Sequence, residues 1–109
     1  MRTIEQFIKH LAERDIKFVA EHANPYGWAQ VYIPAPDLPR YIADPPAFLA
    51  THYGVMRHQY IAWHESEHTV RCAGHTKAGK PCKNAVPNGV AVSPATWVSL
   101  QGSFCHLHR

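Results

Sequence analysis

The sequence predicts a small single α+β domain over residues 1–109: an N-terminal helix, a β-hairpin and a second short helix within 1–70, then a C-terminal β/loop module at 71–109. Three observations carry this prediction. A helical apolar repeat opens the chain, two short β-branched and aromatic runs follow across a turn, and all three cysteines lie beyond residue 71. A chain of 109 residues is long enough for one domain and short for two.

Thr3 followed by Gln6 fits a capping box, and Ile4, Phe7, Ile8 and Leu11 then recur on one helical face, so the spacing predicts a helix over 4–14. Lys17-Phe18-Val19-Ala20-Glu21 and Trp28-Ala29-Gln30-Val31-Tyr32-Ile33 read as strands. Asn24-Pro25-Tyr26-Gly27 between them is turn chemistry, which makes the pair a hairpin. Five prolines from Pro34 to Pro46 each remove a backbone donor and disfavour helix in the preceding residue, which predicts an irregular surface loop. Asp44 as N-cap, Pro45-Pro46 in the first turn and Gly54 as a stop predict a helix over 45–53. Through 56–71 a helix would be tolerated, but Tyr60-Ile61-Ala62-Trp63 favours a strand, and a strand is the expectation.

A hydrophobic fraction of 46% and a charged fraction of 17% are those of an ordinary folded chain and argue against general disorder. No apolar run approaches the roughly 18 residues of a membrane span, and the N-terminal residues lack the layout of a secretory signal. A soluble, cytoplasmic protein without membrane association is the expectation. The charge is uneven. Residues 1–71 carry seven Lys/Arg against eight Asp/Glu, whereas 72–109 carry Lys77, Lys80, Lys83 and Arg109 and no acid. These four are candidate nucleic-acid contacts, since a basic face attracts a polyanion.

That basic region is also the cysteine region. An odd number of cysteines leaves one over in any disulfide scheme, whereas metal coordination accounts for all three. Cys72 and Cys82 are separated by nine residues, and Cys105 and His108 form a C-x2-H pair about one turn apart. Thr76 through Lys80, a polar turn containing Gly79, can fold Cys82 back beside Cys72. Zinc is satisfied by a tetrahedron of cysteine sulfur and histidine nitrogen, and a Cys3His set leaves no position for water. One structural zinc held by Cys72, Cys82, Cys105 and His108 is therefore expected, which makes 71–109 a zinc-stapled module. His75 and His106 are substitute ligands. His106 adjoins Cys105, and neighbouring side chains diverge, so His108 is preferred. The bland alternative is three cysteines serving as small buried hydrophobes.

The string from Arg71 to Asn84, with Phe104-Cys105-His106-Leu107-His108, resembles a small zinc-binding module of the form C-x3-T-x2-G-x2-C-x-N…C-x2-H found in short bacterial and bacteriophage proteins. Cys72, Thr76, Gly79, Cys82, Asn84, Cys105 and His108 occupy the matching positions. The resemblance covers 71–109 and implies zinc without implying an activity. The 22 residues between Cys82 and Cys105 are long for such a module.

His64-Glu65-Ser66-Glu67-His68 matches H-E-x-x-H, the pattern that sets two imidazoles on one helix face around a catalytic zinc with the glutamate as general base. On the expected strand, however, His64 and His68 would lie about 13 Å apart, too far for one metal. A solvated polar segment, or a weaker second zinc site, are the other readings. Trp28, Tyr26, Tyr32, Tyr41, Tyr53, Tyr60, Trp63 and Trp97 provide rings for a core and for interfaces alike. The apolar stretch from Val90 to Leu100 either packs on the hairpin or presents Trp97 to a partner.

Three functional classes follow. The first is a non-enzymatic, zinc-stabilised interaction protein that binds or inhibits another macromolecule, a protein partner being the expectation, with a phage- or mobile-element-encoded inhibitor of host or defence machinery as one form. The second is a nucleic-acid-binding, zinc-finger-like protein, and the third a metallopeptidase acting through His64, Glu65 and His68. The first is the expectation, and no small-molecule substrate is implied.

Overall fold

Residues 2–108 are described by a computed structural model. Helix α1 spans Arg2–Glu13. Thr3 therefore lies inside the helix and not at its cap. Its predicted apolar face is only partly covered: Ile8 is buried and Leu11 half-buried, whereas Ile4 and Phe7 face solvent.

Strands β1 (Phe18–Asn24) and β2 (Gly27–Ile33) form an antiparallel hairpin with Phe18 opposite Ile33 and Asn24 opposite Gly27. Asn24 Oδ1 accepts the Tyr26 N–H at 2.8 Å, which stabilises the two-residue reversal, and Gly27 takes φ 126°, a conformation that side chains disfavour. Period-two alternation separates two faces. Ala20, His22, Val31 and Ile33 point inward, while Val19, Trp28 and Tyr32 are exposed.

The proline-rich segment is not the irregular loop its sequence predicts. A 3-10 turn at Ala35–Asp37 leads into α2 (Leu38–Ala43), and each carries a proline in its opening positions. At a helix start the missing N–H is one of the donors that has no intrahelical acceptor, so Pro36 and Pro39 begin turns instead of breaking them. Helix α3 (Pro45–Tyr53) has the predicted bounds. Asp44 Oδ1 accepts from the Ala47 N–H at 3.3 Å, and Gly54 closes the helix in the left-handed conformation at φ 75°.

Residues 57–65 correct the expected strand: they form helix α4 (Arg57–Glu65). Tyr60 and Trp63, one turn apart, put both large rings on one buried face, which a strand would have sent to opposite sides. The Gln59 side chain accepts the Met56 N–H at 2.8 Å at the helix entrance. Past the helix, Glu67 and His68 both adopt left-handed φ values, of 56° and 63°, and reverse the chain. The final helix, α5 (Pro94–Ser99), was not foreseen. Ser93 caps it, its Oγ accepting from the Thr96 N–H at 3.3 Å.

The core joins both halves of the sequence. Val31, Leu49, Ala50, Tyr60, Trp63 and Val70 pack with Val86, Val92 and Trp97. Trp97 is thus packed inside, where its indole N–H donates to Ser66 Oγ and to the Thr69 carbonyl. The long stretch between Cys82 and Cys105 supplies Val86, Val92 and Trp97, which accounts for its length. The molecule measures 61 × 24 × 17 Å. No described helix is long and apolar enough to cross a membrane.

Candidate metal centre

Two short backbone reversals build the site. Cys72 N–H donates to the Asn84 carbonyl at 2.8 Å and Cys82 N–H to the Gly74 carbonyl at 2.9 Å, so the two cysteines are laced across one narrow loop. Its tip is closed by the Thr76 N–H on the Lys80 carbonyl at 2.7 Å, with Gly79 at φ 79° where a side chain would be strained. The second reversal is the tight turn of Cys105 to His108, held by the His108 N–H on the Cys105 carbonyl at 3.0 Å. Ala73 N–H donates to the Ser103 carbonyl at 2.8 Å and docks the second reversal on the first.

The result brings together one donor atom each from Cys72, Cys82, Cys105 and His108, all within 4.8 Å of one another, and this group could hold a metal ion. His108 Nδ1 stands 3.3 Å from Cys72 Sγ and 3.3 Å from Cys105 Sγ, and Cys82 Sγ is 3.9 Å from Cys105 Sγ. All three sulfurs are buried and unbridged.

The surroundings favour the thiolate at Cys105 and Cys72, whereas at Cys82 the lowering by the Asn84 amide is outweighed by burial and by the neighbouring Cys105 and Cys72, and the thiol is raised. Burial pushes the Cys105 thiol up, but the Leu107 amide, the His108 imidazole and the Asn84 amide outweigh it and bring it down to about 6. Cys72 is likewise lowered, burial being overcome by the amides of Cys105 and Gly74. Hydrogen bonds to Cys105 and Cys72 raise His108, as expected of an imidazole between developing anions. The Asn84 side-chain amide lies 3.8 Å from Cys105 Sγ, and the Gly74 N–H donates to Cys72 Sγ at 3.3 Å. Donors aimed at sulfur are what a ligating thiolate requires.

His75 and His106 are exposed and stand outside the group; His75 instead pairs with Pro81 in the loop's narrow bridge. Lys77, Lys80 and Lys83 are exposed on this module, and none is ion-paired among the described residues. Arg109, the fourth basic candidate, lies outside the described residues.

His64 and His68 are not separated as a strand would separate them. Helix α4 stops at Glu65, and the left-handed turn at Glu67 and His68 folds the chain back until His68 Nε2 is 3.4 Å from His64 Nδ1. The two imidazoles therefore meet across a helix terminus, not along one continuous helix face. Around them are residues that sequence reasoning missed. His64 Nε2 is hydrogen-bonded to Tyr60 Oη at 2.8 Å, and the buried His22 of β1 packs edge-on to His64 while bonding Tyr53 Oη. The one available signal for His22 was its inward parity with Ala20 on β1. Set against protein-family models, curated proteins and solved structures, the chain matches none of them.

Proposed function

We propose that the chain is a non-enzymatic interaction protein whose C-terminal module is stapled by one structural zinc ion. The observation that carries the reading is the convergence of Cys72, Cys82, Cys105 and His108. On a zinc tetrahedron with Zn–S of about 2.3 Å and Zn–N of about 2.0–2.1 Å, sulfurs stand about 3.8 Å apart and sulfur and nitrogen about 3.6 Å. The 3.9 Å sulfur–sulfur separation matches that figure, and the 3.3 Å sulfur–nitrogen separations lie about 0.3 Å inside it. Four protein ligands leave no vertex for a substrate or a reactive water, so the ion supports structure.

The interaction part rests on the hairpin. Trp28 is 72% exposed and Tyr32 56%, on the same outward face as Val19, with Tyr26 at the tip. Buried aromatic area is how small domains gain stability, and aromatic rings left outside are enriched where proteins bind one another. Binding through this face would block a partner without chemistry. A second reading, nucleic-acid binding, is favoured by the exposed Lys77, Lys80 and Lys83, which form no ion pair among the described residues.

Two measurements test this. Elemental analysis of the protein purified without added metal should give one zinc per chain, lost in Cys105→Ser; no metal in the wild type removes the zinc reading. Photo-crosslinking from Trp28→p-benzoylphenylalanine, in an extract of the source cells, should give a nuclease-resistant protein adduct that Tyr32→Ser abolishes. An adduct removed by nuclease and by moderate salt would favour the second reading instead.

A further inference from the structure

The cysteine module leaves the His64–His68 pair without a role. We propose that these two residues form a second, separate divalent-metal site, taking Zn2+ or a similar borderline cation through His64 Nδ1 and His68 Nε2, with the remaining positions left to water or an incoming ligand.

Geometry is the first support. Two imidazoles on adjacent vertices of a tetrahedron, with metal–nitrogen bonds of about 2.0–2.1 Å, have their nitrogens about 3.3 Å apart and their ring centres about 5.2 Å apart. The nitrogens here are 3.4 Å apart and the ring centres 5.3 Å. The rings thus already stand as a bound cation would hold them.

Their surroundings supply the rest. Tyr60 Oη is 2.8 Å from His64 Nε2, so a proton on Nε2 donated to that hydroxyl leaves the Nδ1 lone pair facing His68. A fixed partner on the far nitrogen is how ligating histidines are oriented. Burial, and then the neighbouring His68 and His22, lower the pKa of His64, and burial followed by His22 lowers that of His68. Both shifts run toward the neutral imidazole, which is the form that ligates a metal. The exposed Glu67 carboxylate acts on His68 in the opposite sense. His68 is held by its left-handed backbone and by the Trp63 ring, 4.3 Å between centres, while both histidines keep partial access to solvent.

Cobalt(II) titration of the zinc-loaded chain tests this, because Trp63 lies against both rings and cobalt quenches a nearby indole. The expected result is one cobalt bound per chain, with tryptophan emission quenched and without the thiolate-to-cobalt charge-transfer band that displacement of zinc from the cysteines would produce. His64→Ala and His68→Ala should each abolish the quenching. Tyr60→Phe keeps the ring and both ligands and should weaken binding about tenfold, the scale for losing a group that orients a metal-bound histidine. Absence of saturable binding, binding that survives both histidine substitutions, or a cobalt spectrum carrying only the thiolate band would each overturn the proposal. If the alanine variants do not fold, unchanged affinity in Tyr60→Phe would overturn it as well.

Discussion

Gly74 lies flush against the imidazole of His108: a Cβ at position 74 would stand 2.9 Å from His108 Cγ and 3.1 Å from its Nδ1. Glycine is required here by the close approach of the ring. Gly74→Ala should push His108 away from the sulfurs and lower the affinity of the proposed zinc site by on the order of tenfold or more, the scale seen when a group that orients a metal ligand is disturbed. Competition against a chromophoric chelator would read this. An unchanged affinity would mean that His108 is not held by that contact.

Trp63 is fixed inside the core. Its indole N–H donates to the Val92 carbonyl at 2.8 Å inside the core. Trp63→Phe removes the donor and part of the ring, so a loss of at least about 2 kcal/mol is expected from the unpaired carbonyl and the residual space together. Urea denaturation should show a lower midpoint at constant slope.

His64 and His68 make stability depend on pH in a defined direction. Burial and neighbouring histidines hold their folded pKa values below the usual value near 6.5. An unfolded chain then binds protons that the folded chain refuses. Stability is fully present above pH of about 6.5 and falls as pH drops through the depressed folded values. Melting temperatures between pH 7.5 and 5.5 should fall more steeply in the wild type than in His64→Gln. Contributions from the cysteine site occur in both chains and cancel in the comparison. Equal slopes would contradict the assignment.

The outer hairpin face predicts the opposite behaviour. Trp28 and Tyr32 are mostly solvent-exposed, so Trp28→Ser together with Tyr32→Ser should change stability by no more than about 0.5 kcal/mol per site. Thermal unfolding measures this. A large loss would show that the rings serve the fold and not a partner.

Legibility in the sequence followed how local the determinants were. Helix α3 could be read because Asp44, Pro45, Pro46 and Gly54 act within their own turns. Helix α2 was hidden because Pro39 reads as a breaker unless its place in the first turn is known. Helix α4 was hidden for a different reason. Tyr60-Ile61-Ala62-Trp63 suits a strand by local preference, and the helix wins by burying Tyr60 and Trp63 together against residues some thirty positions later. Proximity of the cysteines and His108 was legible because few residue types can ligate a soft metal. The company of His64 was not: His22 and Tyr53 come from two other elements, and its i,i+4 pairing with Tyr60 can be read only once residues 57–65 are known to be helix and not strand.

The stretch from Cys82 to Cys105 contributes Val86, Val92 and Trp97 to the core while both its ends are fixed at the cysteine site. Closing a loop of this length costs conformational entropy, which an ion held at the site would offset once for the site and the core alike. Metal affinity and core packing would then be linked, and by reciprocity whatever loosens one would weaken the other. Trimming Trp97, which donates no ligand atom, would raise the metal dissociation constant. A chelator acting at Cys105 would in turn be felt as mobility around Trp63.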